Sequence, residues 1–145
     1  MLETILMVCE ANMCRSPMAQ RIMAHRMPGK RVTSAGVSAL CGRPADAAVI
    51  RLMREHGYDM TDHVTAALTV DLARSADLIL TMTSSQRSRI ERALPFTRGK
   101  VYRLGEHGAF DVTDPYQMPR AVYEESLAQI EAGIDSWIPG IRKCG

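Results

Sequence analysis

The stretch Ile5-Leu6-Met7-Val8 is wholly apolar, and it runs directly into the segment Cys9–Pro17, whose sequence is CEANMCRSP. A short, uninterrupted apolar run is typical of a strand that is buried on both faces of a parallel sheet. Ser16 is a favourable helix N-cap and Pro17 a favourable first helical residue. The sequence therefore predicts a buried strand, a short loop, and a helix that begins at the end of the loop.

Strand and helix patterns alternate along the rest of the chain. Further strands are predicted at 31–36, 78–80 and 100–104, and helices at 18–27, 45–56, 84–94 and from 122 to Pro139-Gly140. This order predicts a single α/β domain over residues 1–145, with four parallel strands and helices on both faces. Ligands of such sheets bind beyond the carboxyl ends of the strands, so we expect the aperiodic segments 37–44 and 105–119 to be functional loops.

The composition excludes several classes of protein. Apolar residues make up 46% of the 145 residues and charged residues 23%, as in a globular domain, and the formal net charge is only +2. That balance argues against a general nucleic-acid-binding protein. The N-terminus has neither the pattern of a signal peptide nor a run long enough to span a bilayer, so we expect a cytoplasmic protein without membrane insertion.

The cysteines give no sign of a metal site. They lie at positions 9, 14, 41 and 144, which is not the spacing of zinc ligands. Without a secretion signal they are expected to be reduced rather than bridged. The sequence therefore predicts neither a metal nor a cofactor, and it leaves the oligomeric state open.

The segment Cys9–Ser16 contains a cysteine, five residues and then Arg-Ser. By composition alone about 0.03 such matches are expected, so this pattern is the strongest signal in the sequence. A loop between a strand and a helix can point its backbone N–H groups inward and hold a tetrahedral anion, toward which the helix directs its positive end. The sequence thus predicts a phosphate-binding loop after the first strand.

Each reactive side chain of this loop has a chemical role in that interpretation. Arg15 can bind two phosphate oxygens with its planar guanidinium group. The same positive field favours the thiolate form of Cys9, which would be an in-line nucleophile toward a phosphoryl group. Ser16 can donate a hydrogen bond to that sulfur and help it leave. In the alternative interpretation, Cys9 is a buried structural thiol and Arg15 a surface charge.

A cysteine nucleophile of this kind also needs a general acid. Asp114-Pro115-Tyr116 follows the last predicted strand, so its carboxyl group can protonate a leaving group and then deprotonate water. Pro115 would stiffen the loop, and Tyr116 offers a ring for stacking on an aromatic substrate. Taken alone, the tripeptide is only a turn with a solvated Asp, and Asp111 is the competing acid.

The segment Cys9–Pro17 together with Asp114-Pro115-Tyr116 resembles the low-molecular-weight protein tyrosine phosphatase family, and the similarity extends over essentially the whole chain. The resemblance implies a metal-free hydrolysis of phosphotyrosine, with Cys9 as nucleophile, Arg15 binding phosphate and Asp114 as general acid and base. It implies that Asn12 holds the loop through hydrogen bonds to Ser34 and His63. It places the substrate against Glu10, Ala11, Asn12, Met13, Cys14, Ser16, Leu40 and Tyr116.

Three positions depart from the family pattern. Ala11 stands where Gly is usual, which costs about 1 kcal/mol if the position requires a positive φ. Gln117 follows Tyr116 where eukaryotic members have a second tyrosine, and Leu40 stands where they carry an aromatic cleft residue. Leu40 and the run Ser34-Ala35-Gly36-Val37 resemble the bacterial subgroup that pairs with tyrosine autokinases of capsule and exopolysaccharide export. The resemblance therefore implies such a kinase as the phosphotyrosine protein partner.

Several alternatives stay open. The resemblance suggests a reversible Cys9–Cys14 disulfide, whereas Cys14 is otherwise a small residue that faces the helix. Thiol-dependent arsenate reduction uses a similar loop but needs relay cysteines late in the domain, and residues 42–143 contain none. A phosphocysteine carrier would not need Asp114 as an acid. A phosphoprotein-binding module without catalysis would not need Cys9, Arg15 and Asp114 together.

Overall fold

The alternation of strands and helices predicted from the sequence is present in the computed structural model, which describes residues 2–144. Within these residues one parallel sheet has the order β2-β1-β3-β4 and is built from β1 (Thr4–Cys9), β2 (Arg31–Gly36), β3 (Leu78–Thr81) and β4 (Val101–Arg103). The helices are α1 (Arg15–Arg26), α2 (Ala47–Glu55), α3 (Val70–Ser75), α4 (Ser84–Ala93) and α5 (Arg120–Cys144). The predicted fold class is confirmed.

The alternating side chains of β1 build a hydrophobic core on each face of the sheet. Ile5 and Met7 pack with residues of α1, α2 and α5, whereas Leu6 and Val8 pack with residues of α3 and α4. All four side chains are fully buried. Each such burial contributes roughly 1.5–3 kcal/mol, so the apolar run that precedes Cys9 fixes the centre of the fold.

The strand order places the loop after β1 at the binding edge of the sheet. Strand β1 lies between β2 and β3. The chain therefore places β2 on one side of β1 and then adds β3 and β4 on the other side. In sheets with this change of direction, ligands bind in the crevice beyond the carboxyl ends of the two central strands. Cys9 ends β1 and Arg15 begins α1, so residues 10–14 lie in that crevice.

Three features of the chain differ from the prediction. Helix α1 begins at Arg15 with Cys14 as its N-cap, so Ser16 lies inside the helix and does not cap it. Helix α5 does not end at Pro139 but continues to Cys144. Pro139 is exposed, while Ile134, Ile138 and Ile141 extend the buried stripe of the helix, and this packing offsets the missing backbone hydrogen bond. Helix α3 was not predicted because its six residues are too few to show helical periodicity. Within residues 2–144, no helix is both long enough and apolar enough to cross a bilayer.

Gly36, at the end of β2, allows the loop after β1 to approach the sheet closely. A Cβ atom added there would lie 2.6 Å from the Glu10 carbonyl oxygen and 2.9 Å from the Asn12 backbone nitrogen. We expect Gly36→Ala to lower the free energy of unfolding by about 1–3 kcal/mol in urea denaturation, because the loop must move. The control is Gly29→Ala, whose added Cβ meets no described atom within 4 Å. Equal losses in both variants would contradict the argument.

Candidate active site

The loop between β1 and α1 directs its carbonyl oxygens away from the crevice. The carbonyls of Cys9 and Glu10 accept hydrogen bonds from the backbone of residues 37–38 at 3.0 and 2.9 Å, and that of Met13 accepts one from the Asp46 N–H at 3.0 Å. In a trans peptide the N–H group points opposite to the C=O group, so the N–H groups that follow these carbonyls face the crevice. Together with the N-terminus of α1 they form a nest for an anion.

Asn12 is the residue that takes the left-handed backbone conformation in this loop, with φ of +58°. Asn tolerates this conformation better than most residues, and its side chain is fully buried here. Its Nδ2 group donates to the hydroxyl oxygens of Ser16 and Ser34 at 2.8 and 2.9 Å, and its Oδ1 accepts from the Ala66 N–H at 2.9 Å. Ala11 does not have a positive φ, so the backbone cost considered for Ala11 does not arise.

His63 supports the same loop from behind. Its Nε2 lies 2.8 Å from the Asn12 carbonyl oxygen, and because a carbonyl only accepts, the ring donates from Nε2. Burial lowers the pKa of His63, while the hydrogen bond to the Asn12 carbonyl acts in the opposite direction. His63 therefore supports the loop as a neutral ring.

The hydroxyl group of Ser16 is oriented by its neighbours. Its oxygen accepts the Asn12 hydrogen bond, and its own proton has two acceptors within reach: the Cys9 sulfur at 2.8 Å and the Ala35 carbonyl oxygen at 3.5 Å. The shorter distance favours donation to the sulfur. Cys9 is buried at the base of the nest, so a hydroxyl donor at this distance is placed to act on the sulfur directly below the anion site.

Arg15 connects the loop to the segment that carries the acid. The side chain is buried, and its Nη1 donates to the Val112 carbonyl oxygen at 3.0 Å, which fixes the plane of the guanidinium group. Its Nη2 lies 3.8 Å from Asp114 Oδ2. The Asp114 side chain is 58% exposed, and its Oδ1 accepts the Tyr116 N–H at 3.1 Å. Asp114 can therefore exchange protons with solvent while it stays next to the anion site.

Asp111, the competing acid, is engaged elsewhere. Its Oδ1 accepts hydrogen bonds from the Ser84 N–H at 3.0 Å, at the start of α4, and from Arg103 Nη1 at 3.1 Å. It does not line the cavity above Cys9, whereas Asp114 does. Of these two carboxyl groups, Asp114 is the one at the cavity.

A cavity of about 290 Å³ opens above the sulfur. It is lined by Cys9, Glu10, Ala11, Met13, Cys14, Arg15, Asp114 and Tyr116. Asn12 and Ser16, which were expected to contact substrate, are fully buried behind the loop. Leu40 does not line this cavity; it is 70% exposed and lies in an adjoining groove that Ala11, Met13 and Tyr116 also line.

Cys14 has surroundings that differ from those of Cys9. Its sulfur is buried and lies 3.4 Å from Asp46 Oδ2, and Asp46 also accepts a hydrogen bond from the Tyr123 hydroxyl group. Burial, and then the negative charge of Asp46, raise the pKa of the Cys14 thiol well above its usual range. Cys14 therefore stays protonated at neutral pH. Its sulfur is not bonded to that of Cys9.

The site also contains residues that sequence reasoning missed. Asp46 faces Cys14, Ala66 and Gln20 complete the hydrogen bonds around Asn12 and Ser34, and Val112 holds Arg15 through its backbone. No local pattern in the sequence marks these positions, because each acts on a residue distant in the chain.

Fold and site together define an α/β protein with a nest suited to a tetrahedral anion over a cysteine sulfur, and with a carboxyl group beside the cavity. Residues 4–144 match the family model described as low molecular weight phosphotyrosine protein phosphatase. The chain belongs to this family of protein-tyrosine phosphatases, and the resemblance seen in the sequence is confirmed.

Individual relatives agree with this assignment. The chain is 45% identical to the probable low molecular weight protein-tyrosine-phosphatase EpsP of Ralstonia solanacearum, over 100% of both chains. The crystal structure of the tyrosine phosphatase Wzb from Escherichia coli K30 in complex with sulphate superposes with a TM-score of 0.92 at 33% identity, covering 100% of each chain. The YwlE arginine phosphatase from Geobacillus stearothermophilus gives a TM-score of 0.91 at 30% identity, covering 97% of this chain and 94% of that one.

The neutral ring of His63 makes stability depend on pH. Its pKa in the folded state lies below the unfolded value of about 6.5, so its contribution is complete above that pH and is lost as the pH falls. We expect wild-type protein to lose free energy of unfolding between about pH 7.5 and 5.5 in urea denaturation, and His63→Gln to lose less. The exposed His56 provides the control, and His56→Gln should keep the wild-type pH dependence. An unchanged pH dependence in His63→Gln would contradict this assignment.

Proposed function

We propose that the protein hydrolyses phosphotyrosine in proteins through a phosphocysteine intermediate on Cys9. The observation that carries the proposal is the position of the Cys9 sulfur, which lies at the base of a nest of inward-facing N–H groups and 2.8 Å from the Ser16 hydroxyl group. A buried sulfur that accepts a hydrogen bond beneath an anion site is suited to attack a bound phosphoryl group. Arg15 provides two N–H donors for the phosphoryl oxygens from a fixed plane.

The first step transfers the phosphoryl group to the enzyme. Cys9 attacks as the thiolate: the electron pair of its sulfur forms the S–P bond, and the bond between phosphorus and the phenolic oxygen breaks on the opposite side. Asp114, in its protonated form, gives its proton to the departing phenoxide. Arg15 and the N–H groups of the loop stabilise the charge that the equatorial oxygens carry in the transition state.

The second step releases phosphate. A water molecule attacks phosphorus and gives a proton to the Asp114 carboxylate, which is exposed enough to reach it. The S–P bond breaks and its electron pair returns to the Cys9 sulfur. The Ser16 hydroxyl group lowers the cost of this departure because it donates a hydrogen bond to the sulfur as its charge develops.

The depth of the site supports an aryl phosphate as substrate. The Cys9 sulfur is buried at the base of the cavity, whereas Tyr116 is 48% exposed at its mouth beside Asp114. A long, flat side chain places its phosphate against the sulfur while its ring passes Tyr116, where the two rings can stack. The shorter phosphoserine side chain would bring its backbone closer to the buried sulfur.

We infer that the protein partner is a bacterial tyrosine autokinase of exopolysaccharide export and that the enzyme works in the cytoplasm. The similarity to EpsP over the full length of both chains supports this partner. The groove beside the cavity, with the exposed apolar side chain of Leu40, suits the residues that flank a phosphotyrosine in a protein chain. A reaction that uses the free thiol of Cys9 also needs a reducing compartment.

Turnover of matched phosphopeptides tests the substrate class. With EDTA present, we expect release of phosphate from a phosphotyrosine peptide and from an autophosphorylated bacterial tyrosine kinase, and no release from the phosphoserine peptide. Cys9→Ser should abolish the reaction and keep the fold. Because a structural neighbour is an arginine phosphatase, a phosphoarginine peptide belongs in the series. Faster turnover of phosphoarginine than of phosphotyrosine would overturn the proposed substrate class.

Substitution of the acid tests the proton transfer. We expect Asp114→Asn to slow the hydrolysis of phenyl phosphate by roughly 10²–10⁴, because the amide cannot protonate the phenoxide. The loss should shrink for aryl phosphates whose phenols are acidic enough to leave without a proton. Asp111→Asn is the control, since Asp111 caps α4 and pairs with Arg103. If the dependence on the leaving group changes in Asp111→Asn and not in Asp114→Asn, the acid is assigned to the wrong residue.

A further inference from the structure

A carboxylate lies in the wall of the anion site. Glu10 is the residue next to Cys9, and it lines the cavity above the sulfur. Hydrogen bonding to Ser38, together with Arg89, lowers the pKa of Glu10, so the carboxylate is ionised at neutral pH. A negative charge free to move beside a bound phosphate dianion would repel it. Phosphate binding therefore requires an interaction that holds the Glu10 carboxylate away from the phosphate.

The Arg89 side chain holds the Glu10 carboxylate. Arg89 Nη1, on α4, lies 3.0 and 3.1 Å from the two carboxylate oxygens. The second terminal nitrogen of the same guanidinium group, Nη2, donates to the Ser38 hydroxyl oxygen at 3.2 Å. The Ser38 backbone N–H donates in turn to the Glu10 carbonyl at 2.9 Å. One guanidinium group thus binds both the carboxylate and the segment that anchors the Glu10 backbone.

We propose that Arg89 is a positioning residue of the anion site, which acts by holding Glu10 against α4 and away from the bound phosphate. The inference rests on the proposed function only in taking this cavity as the phosphate site. Arg89 does not itself line the cavity above Cys9, whereas Glu10 does. Its effect on phosphate therefore passes through Glu10 and disappears when Glu10 carries no charge.

The binding of inorganic phosphate, measured by calorimetry, tests this without turnover. We expect Arg89→Gln to weaken phosphate binding about threefold to tenfold at low salt, because the released carboxylate can approach the anion. The loss should shrink as salt is added, since both side chains of the pair are more than 40% exposed. With an aryl phosphate substrate, KM should rise by a similar factor while kcat stays within about twofold.

Two further variants separate this role from other effects of the charge. In Arg89→Gln combined with Glu10→Gln, phosphate affinity should stay close to that of Glu10→Gln alone. Arg92→Gln removes the same charge from an exposed position of the same helix and should leave phosphate affinity nearly unchanged. The midpoint of thermal unfolding is measured for every variant. An unchanged midpoint in the double variant shows that losing both charges keeps the fold.

The outcomes are distinct. Equal phosphate affinities for Arg89→Gln and Arg92→Gln would overturn the inference, because the ion pair would then have no specific effect. The same weakening by Arg89→Gln in the Glu10→Gln background would also overturn it, because Arg89 would then attract phosphate directly. If phosphate binding follows the expected pattern and aryl phosphates are not hydrolysed, the positioning role stands and the proposed function fails.

Discussion

The outward anchoring of the loop between Cys9 and Arg15 is the constraint on which the site depends. A peptide group that turns its carbonyl outward turns the next N–H inward, so each bond that the surroundings make to a loop carbonyl helps to point a donor at the anion. Asn12 is the centre of this arrangement, because its backbone takes the left-handed conformation and its buried side chain bonds to three other segments. These bonds hold the backbone in the conformation in which its N–H groups converge on one point.

The sheet provides the rigid support that this anchoring requires. The loop begins at the end of β1, whose side chains are packed on both faces, and its first carbonyls bond to the backbone just after β2. Gly36 leaves the space for that approach, since any larger residue would meet the Glu10 carbonyl oxygen. Hydrophobic packing thus sets the position of the Cys9 sulfur, and hydrogen bonds set the electrostatic field above it.

Local patterns in the sequence predicted all four strands, every helix except α3, and the candidate reactive residues. The apolar run at 5–8, the spacing from Cys9 to Arg15 and the tripeptide at 114–116 each lie within a few residues, so they could be recognised without the fold. The residues that hold these reactive groups in place could not be recognised from the sequence. Val112 holds Arg15 across 97 positions of the chain, and no rule of spacing connects them. The continuation of α5 through Pro139 was missed for the same reason, because tertiary packing outweighs a local helix-breaking signal.

Cys9 and Cys14 lie in the same loop, but the fold gives their sulfur atoms different surroundings. Cys9 and Cys14 are both buried, so burial alone does not distinguish them. Cys9 lies 2.8 Å from the Ser16 hydroxyl group, which is closer to the sulfur than to its other acceptor, the Ala35 carbonyl oxygen at 3.5 Å. Burial, and then the facing carboxylate of Asp46, raise the pKa of the Cys14 thiol and keep it protonated. A hydroxyl group beside one sulfur and a negative charge beside the other give the two cysteines different surroundings, and only those of Cys9 suit the proposed nucleophile.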